Sequence, residues 1–487
     1  MKKTLIAFAV AAAFASAASA ASFKAGTYTA TAPGIHGDVT VEVTFTADKL
    51  ADIKVTKQSE TVGIGSKAVE LLPGRMVAAQ SPAVDGVTGA TITTEAIRKA
   101  VSDCVKQAGV DPANLVPLAV KKTGGQKTLE TDMVVVGGGG SGMSATIRGR
   151  MNGMNVILVE KMPYIGGAAA ISGGQVVAQG SKLQKAFGST EDSPESMIKD
   201  FMANGHNLND PIDWLHEKVG VKFIPNDLPF LAEYSHRRAL EFEGGAKTMA
   251  QHLREVIAGN GAQVLYSTRV EKLLQDKDGR VIGVEATDDN GVKYTIKSKA
   301  TLLTTGGFGN NKDMLVEPIK STLYYGPVSS TGDGHRMAME LGAKTQLMQY
   351  GKRYPNGIEV APGKAKSTIY ANVGAFDQAG ILVNIDGKRF VNEKASNRHI
   401  LDPMLQNANG QGYVFMDQKS WEGFYKRLPE TGVSHEDADK YLAQDGKTAP
   451  LFVKGATVEE VAAKAGINAA ALKATVARYN GFVKAKK

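Results

Sequence analysis

Cysteine is almost absent from this chain of 487 residues, and several other patterns that mark protein classes are missing. Cys104 is the single cysteine, so no internal disulfide can form, and no C-x-x-C-H motif is present to hold a c-type haem. The eight histidines are scattered without the spacing of metal ligands, so we predict no metal site. After the first 20 residues no apolar run reaches about 18 residues, so we predict no membrane-spanning helix.

The charge pattern argues against nucleic acid as a partner. The formal net charge is +8, but the lysines and arginines are spread along the chain without a long basic run. The content of 43% hydrophobic and 22% charged residues is typical of a soluble globular protein. The length leaves room for about two to four domains.

The N-terminus has the pattern of a secretory signal. Lys2 and Lys3 form a charged start, residues 5–15 are apolar, and Ala18-Ser19-Ala20 supplies the small residues of a cleavage site. We therefore predict that residues 1–20 are a signal peptide and that the protein is periplasmic.

A glycine motif in the middle of the chain predicts a dinucleotide site. Residues 133–136 form a short apolar run typical of a buried parallel strand. Gly137, Gly139 and Gly142 follow in G-x-G-x-x-G spacing. The first glycine permits a tight turn, the second lets the backbone approach a pyrophosphate, and the third lets helix and strand pack closely.

The residues after the glycines complete the predicted unit. Residues 141–152 are helix-like, and residues 155–159 form a second apolar strand that ends at Glu160. An acidic side chain at this distance can accept hydrogen bonds from an adenosine ribose. The alternative is a glycine-rich turn that binds no ligand.

Two further stretches resemble the fumarate reductase and succinate dehydrogenase flavoprotein family. One runs from Glu160 through Gly166-Gly167 to Ser172-Gly173-Gly174, and the other is TTGGFGN at residues 304–310. The family's TGDG run is also present, at residues 331–334, where Asp333 either contacts FAD or belongs to a capped helix start. With the glycine motif, the resemblance implies non-covalent FAD held by Gly137, Gly139, Gly142, Glu160, Lys161, Gly166, Gly167, Gly174, Val270, Thr305, Gly306 and Asp333.

An earlier stretch resembles the small domain that carries covalent FMN. Its motif is Asp85 followed by TGAT ending at Thr91, ahead of a predicted helix at residues 95–108. In that family a flavin transferase joins FMN to the last threonine through a phosphoester, so the match implies Thr91 as the attachment site. The alternative is a Gly-Ala turn with Thr91 as the N-cap of the helix.

The resemblance continues into a predicted capping region. Residues 380–398 match the family segment whose last arginine donates a proton to the alkene, which implies Arg398. An arginine can serve as an acid if a carboxylate such as Glu393 or Asp377 re-protonates it. Tyr354 stands where fumarate reductases place a substrate-binding histidine. That difference argues against fumarate and suits an aromatic enoate such as urocanate.

The predicted fold class is α/β, with a Rossmann-like FAD domain, an α+β capping domain and a small α+β FMN domain. Relative to the family, a helix near Asn209-Asp210-Pro211 is expected to be deleted. The family's C-terminal end, with a substrate histidine and arginine, is expected to be missing. The predicted segments are a signal peptide (1–20), the FMN domain (21–120), a linker (121–130), the FAD domain (131–346) and the capping domain (347–487).

The leading functional prediction is an exported reductase. Electrons would enter from a periplasmic or membrane-bound donor, either a cytochrome or a quinol-linked protein, and pass through FMN and FAD to the C=C bond of an unsaturated carboxylate. One alternative is an FAD-dependent dehydrogenase of a steroid or an amino acid. Another is a non-catalytic FMN electron carrier or a truncated, inactive relative.

Overall fold

The computed structural model describes residues 22–35, 37–60, 63–87, 89–119, 122, 124–189, 191–204, 212–225, 228, 234–408 and 410–485. The predicted signal peptide, Thr88 of the FMN motif and the Asn209-Asp210-Pro211 segment lie outside the described residues. The chain divides into two compact units, one comprising Met1–Glu60 with Ile64–Lys121 and the other comprising Thr61–Gly63 with Lys122–Lys487.

The first unit is an antiparallel sheet of three strands with two helices. The strands, in sheet order, are β1 (Gly26–Pro33), β2 (Asp38–Phe45) and β3 (Leu50–Lys57), and the helices are α1 (Gly65–Ala79) and α2 (Thr91–Gln107). Every second residue of β2, from Val39 to Phe45, is buried, which is the alternation of a strand with one face on a core. Ile97, Val101 and Cys104 of α2 are buried in the same core.

The second unit is built around a larger mixed sheet. Its strands are β4 (Gln126–Val136), β5 (Val156–Val159), β6 (Gln175–Val177), β7 (Ala239–Glu241), β8 (Gln263–Leu265), β9 (Thr268–Gln275), β10 (Val281–Asp288), β11 (Lys293–Leu303), β12 (Ile358–Ala361), β13 (Lys364–Lys366), β14 (Ile381–Val383) and β15 (Tyr413–Phe415). Its helices are α3 (Gly140–Met151), α4 (Lys182–Ala186), α5 (Pro194–Asn204), α6 (Ile212–Trp214), α7 (Gly245–Gly259), α8 (Asp333–Glu340), α9 (Ile369–Phe376), α10 (Asn397–Asn407), α11 (Gln418–Arg427), α12 (His435–Gln444), α13 (Val458–Ala465) and α14 (Ala469–Lys484).

The six-stranded sheet has the order β8-β5-β4-β11-β10-β9. Strands β8, β5, β4 and β11 run parallel, while β11, β10 and β9 pair antiparallel. Val136 at the end of β4 pairs with both Val159 of β5 and Leu303 of β11. The carboxyl ends of three parallel strands therefore meet at one edge, where α/β sheets bind ligands. This architecture confirms the predicted α/β class.

One strand is longer than predicted. β4 begins at Gln126, so residues 126–130 of the predicted linker are part of the sheet. They are polar, but their backbone pairs with β11 from Gln126↔Lys293 onward, and backbone pairing does not require apolar side chains. The partner strand β11 runs unbroken from Lys293 to Leu303, with Lys297 and Lys299 on its exposed side.

The region after residue 346 has its own apolar cores. One core packs α9, α10 and α11 around Phe376, Leu382, Phe424 and Leu428. A smaller core lies between β14 and the last two helices. Among the described residues, no helix is both long enough and apolar enough to cross a bilayer.

Candidate flavin site

A cavity of about 660 Å³ opens at the carboxyl ends of β4, β5 and β11. This volume falls in the range of small-molecule sites in proteins. Nine of the predicted cofactor residues line it, namely Gly137, Gly139, Glu160, Lys161, Gly167, Val270, Thr305, Gly306 and Asp333.

The glycine loop after β4 shapes the floor of this cavity. Gly137 has φ +103°, and a Cβ there would lie 2.5 Å from the Thr304 carbonyl oxygen. A Cβ at Gly142 would lie 1.9 Å from the Gly137 carbonyl oxygen, so only glycine lets α3 pack against the loop. A Cβ at Gly139 would meet no atom of the described part of the chain within 4 Å. Gly139 therefore leaves space inside the cavity, whereas Gly142 fills a packed position behind it.

The N-terminus of α3 points its backbone toward this space. Gly139 is the N-cap residue, and no side chain caps the helix. Gly140 and Ser141 of the first turn line the cavity. The first N–H groups of a helix have no intrahelical acceptor and favour an anion, which suits a pyrophosphate.

Glu160 closes the end of β5 as a buried carboxylate, 7% exposed. Its Oε2 accepts a hydrogen bond from the Gly138 N–H at 2.6 Å, and its Oε1 accepts one from the Met162 N–H at 2.7 Å. Burial nevertheless raises the pKa of Glu160 above its ordinary value. A carboxylate has about four acceptor positions, so Glu160 keeps acceptor capacity for a ribose hydroxyl.

Asp333 is held in a cluster of cations at the wall of the cavity. Lys161 Nζ donates to Asp333 at 3.0 Å and to Thr331 at 2.7 Å, and Arg269 Nη2 donates to Asp333 at 2.9 Å. Burial alone would raise the pKa of Asp333, but Lys161 and Arg269 lower it. The cluster ties the end of β5 and the start of β9 to α8. Asp333 does not cap α8, because the N-cap position is Gly332.

His335 lines the cavity but is absent from the predicted set. Its ring packs edge-on against Phe308, with ring centroids 5.2 Å apart. Its Nδ1 is buried and has no hydrogen-bond partner among the described residues. The sequence feature that could have identified His335 is its position two residues after Asp333, in the first turn of the same helix.

Three predicted glycines lie behind the lining rather than on it. Gly142 makes the close contact described above. Gly166 and Gly174 have φ of +138° and +79°, so they form turns that other residues adopt at a cost. A Cβ at Gly174 would lie 2.9 Å from the Ala246 nitrogen. Their contribution is to shape the backbone around the cavity.

In the first unit, Thr91 is the first residue of α2, and the N-cap is Ala90. The alternative in which Thr91 caps the helix is therefore wrong. Thr91 is exposed, while Thr93 and Thr94 of the same helix turn are buried. The Thr93 hydroxyl donates a hydrogen bond to the Glu60 carboxylate, and the Thr94 hydroxyl accepts one from the Val87 N–H at 3.2 Å. Of these three threonines, only Thr91 is exposed.

The predicted proton relay is not assembled as expected. Glu393 is buried and pairs with Arg389 at 2.6 Å, and it also accepts from the Leu382 N–H at 2.9 Å. Asp377 pairs with Lys394 at 3.1 Å. Neither carboxylate contacts Arg398, and the pair with Arg389 gives Glu393 a structural contact; the catalytic role of Glu393 stays a prediction. The acceptor positions of the Glu393 carboxylate are used by the Leu382 N–H of β14 and by the Arg389 guanidinium.

The side chain of Arg398 is accessible to solvent. Its side chain is 73% exposed, and its ion-pair partner is Asp402, one helical turn away at 3.8 Å. Tyr354 is 42% exposed, with the Lys352 ammonium 5.1 Å from the centre of its ring. Asn356 donates to the Asn397 side chain at 2.9 Å, which links the two segments that carry Tyr354 and Arg398. Arg398, Tyr354 and Glu393 do not line the described cavity.

The residues around the cavity fit FAD. The space at Gly139, the uncapped start of α3 and the free acceptor positions of Glu160 suit a pyrophosphate next to a ribose. The unpartnered Nδ1 of His335 supplies one further polar contact.

Comparison with known proteins agrees with this geometry. The family model described as FAD binding domain matches residues 132–486, and the one described as FMN-binding domain matches residues 34–106. The chain belongs to the FAD-binding flavoprotein family. Like its relatives it is an FAD-dependent oxidoreductase of the class that acts on CH–CH groups. The predicted family, FAD and FMN are thereby confirmed.

Several relatives are reductases. The chain is 31% identical to the urocanate reductase of Eggerthella lenta, covering 96% of this chain and 78% of that protein. It is 26% identical to the NADH:fumarate oxidoreductase of Klebsiella pneumoniae, covering 95% and 49%. The solved open conformation of a flavocytochrome c3 fumarate reductase is 28% identical, with a TM-score of 0.57, and covers 74% of this chain and 62% of that one. The chain thus spans about half to four fifths of the length of these relatives.

Proposed function

We propose that the protein reduces the C=C bond of an unsaturated carboxylate with electrons that pass through two flavins. The observation that carries this proposal is the cavity floored by Gly139 and closed by Glu160, which suits FAD. The chain is similar to a urocanate reductase, an acrylate oxidoreductase and fumarate reductases, and each of these names an enoate. FAD, when bound, supplies the hydride that adds to one alkene carbon.

Arg398 supplies the proton to the other alkene carbon in this proposal. Its guanidinium is exposed and only weakly paired, so a substrate can reach it. Its positive charge polarises the alkene and stabilises the negative charge that develops in the transition state. Tyr354 orients the substrate, and its aromatic ring favours an aromatic enoate such as urocanate over fumarate. Proton return to Arg398 comes from solvent or from the nearby Asp402, since Glu393 and Asp377 are paired elsewhere.

FMN enters the proposal as a covalent relay on Thr91. The exposed hydroxyl at the start of α2 supports attachment by a flavin transferase, and a helix N-terminus stabilises the phosphoester charge. The pattern of residues 1–20 supports export to the periplasm. There a cytochrome or a quinol-linked protein would donate the electrons.

Flavin content and enoate reduction together test the proposal. The full chain is exported from a host that contains the flavin transferase, and mass spectrometry of its peptides locates FMN. Acid then releases FAD, and oxidation of a reduced dye is followed with urocanate, fumarate and acrylate. We expect FMN on Thr91, one FAD and turnover with at least one enoate, with urocanate preferred. Both flavins without any turnover would contradict the reductase, and FMN alone would favour the electron carrier.

A further inference from the structure

Three asparagines in the region after residue 346 form a chain of hydrogen bonds. Asn372 of α9 donates through Nδ2 to Asn356 Oδ1 at 3.2 Å, and Asn356 donates through Nδ2 to Asn397 Oδ1 at 2.9 Å. Asn356 and Asn372 are buried, and Asn397 is half-buried. These three residues, named here the asparagine chain, connect α9, the segment before β12 and the first residue of α10.

Asn356 is the central member, and both functions of its amide are used. Its oxygen accepts from Asn372 and its nitrogen donates to Asn397, so the two bonds fix the orientation of the amide. Burying an amide costs free energy that its hydrogen bonds must offset, and an apolar side chain would not have this cost. A shift of either neighbour would leave a buried polar group unpaired. The asparagine chain is therefore better suited to fixing the relative positions of three segments than to adding stability.

One end of the asparagine chain lies next to Arg398. Ser396 is the N-cap of α10, Asn397 is its first residue and Arg398 is its second. The ion-pair partner of Arg398 is Asp402 at 3.8 Å, which is beyond hydrogen-bond distance. The position of the guanidinium therefore depends on where its backbone is held, and the bond from Asn356 to Asn397 holds that part of the backbone.

The centre of the asparagine chain lies in the segment that carries Tyr354. Asn356 follows Tyr354 by two residues, and the Tyr325 hydroxyl donates to the Tyr354 carbonyl oxygen at 3.3 Å. A Cβ at Gly357, the next residue, would lie 2.8 Å from the Tyr325 ring, so the segment packs closely on that ring. The backbone at Tyr354 is thus held by Tyr325 as well as by the asparagine chain.

We propose that Asn356 is a positioning residue for the reduction, because it holds the segments of Arg398 and Tyr354 at a fixed separation. The inference deepens the proposed function and rests on the roles given there to Arg398 and Tyr354. A displacement of about 1 Å that originates far from the reacting atoms can lower a rate about 100-fold. A buried amide can therefore control turnover without contacting the substrate.

The test compares Asn356→Leu with Asn384→Leu in the FAD-loaded full chain. Asn384 is buried, accepts from the Lys388 N–H at 2.9 Å and donates to the carbonyl oxygen of Asn407, the last residue of α10, at 2.9 Å. Each change therefore removes two hydrogen bonds of a buried asparagine that is tied to one end of the same helix. We expect Asn356→Leu to lower kcat about 10- to 100-fold. Asn384→Leu should leave kcat close to wild type, in steady-state kinetics below both melting transitions.

A double-mutant cycle tests whether Asn356 acts through Arg398. If it does, Asn356→Leu should lower kcat little further in a chain that already carries Arg398→Ala. Effects that multiply in the double variant would overturn the positioning role. Asn397→Ala removes the same bond and keeps a good helix former at the start of α10, so it should give a similar loss even if Asn356→Leu does not fold.

Hydrogen exchange gives a second readout that does not depend on turnover. The backbone amides of residues 400–402 should exchange faster in Asn356→Leu than in wild type, because the start of α10 loses its tie to the asparagine chain. Wild-type exchange there, wild-type kcat, or an equal fall of kcat in Asn384→Leu would overturn the positioning role. A wild-type protein that binds FAD but reduces no enoate would instead overturn the proposed function, so the two failures are distinguishable.

Discussion

The flavin cavity and the region around Arg398 belong to the same unit but are built in different ways. The cavity is shaped mainly by backbone, through a glycine loop, the start of α3 and the ends of three parallel strands. The Arg398 region depends on side chains from separate segments, linked by contacts such as Asn356 to Asn397. The backbone alone can therefore form the shape of a cofactor site. A catalytic site depends in addition on which side chains have no ion-pair or hydrogen-bond partner.

The charged groups of the two regions show the same contrast. At the cavity, Asp333 forms ion pairs with both Lys161 and Arg269, so these three charged side chains hold one another in place. In the other region Arg389 and Glu393 neutralise each other, and Arg398 is left exposed. The arginine with the weaker ion pair is therefore the one to which we assign the role of proton donor. Substitutions that separate catalysis from stability test this distinction.

The largest expected effect is on turnover. Arg398→Ala should lower kcat for enoate reduction about 10²- to 10⁴-fold, the usual contribution of a positioned acid. Its thermal unfolding should remain close to wild type, because an exposed ion pair contributes at most about 1 kcal/mol. Steady-state kinetics with a reduced dye and a thermal melt check both parts. Unchanged kcat would remove Arg398 as the proton donor, and Arg398→Lys provides the variant that keeps the charge.

Replacing Arg389, in contrast to Arg398, should lower the stability of the fold. Arg389→Ala leaves the buried Glu393 without its cation, so we expect a loss of about 1–3 kcal/mol in the free energy of unfolding. Chemical denaturation of the FAD-loaded protein measures this loss. The control is Lys440→Ala, which breaks an exposed pair with Glu436 and should cost much less. A stability loss in Arg389→Ala no larger than in the control would contradict the structural role of the pair.

Two glycines of one motif should separate binding from packing. Gly142→Ala places a methyl group against the Gly137 carbonyl oxygen, so we expect about 1–3 kcal/mol of destabilisation. The methyl group of Gly139→Ala meets no atom of the described residues within 4 Å, so the fold should keep its stability while FAD affinity falls. Urea unfolding without flavin and FAD titration measure the two effects independently. Equal loss of stability in both variants would show that Gly139 is a packing residue as well.

Much of the cavity could be predicted from sequence because its features are local. The glycine spacing, the apolar strand before it and the acidic residue after the next strand lie within 28 residues, from Met133 to Glu160. The backbone requirements of Gly137 and Gly142 follow from residue type alone. The beginning of β4 was missed because its pairing partner, β11, is far away in sequence and its residues are polar.

Contacts between distant residues could not be predicted. Lys161 and Asp333 are 172 positions apart, so their ion pair depends on how β5 and α8 are placed. His335 was missed although it lies two residues after the predicted Asp333, in the first turn of the same helix. The pair between Glu393 and Arg389 is different, because its two members are close in sequence. Arg389 lies four residues before Glu393, and that spacing of opposite charges gave a local sign of pairing.

The smallest expected effect tests whether the backbone-built cavity carries a charge in the absence of flavin. Burial raises the pKa of Glu160 above 4.5, so the folded state binds its proton more tightly than the unfolded state does. This contribution to stability is full below pH 4.5 and is lost as the pH rises through the folded pKa. Glu160→Gln should remove this loss and flatten the dependence of unfolding free energy on pH above 4.5. Urea unfolding of the flavin-free protein at a series of pH values measures it, with the exposed Glu271→Gln in the same sheet as the control. If the two variants have the same pH profile, the Glu160 carboxylate is solvated in the flavin-free cavity. The charged groups of the flavin cavity and of the Arg398 region would then not differ in their exposure to water.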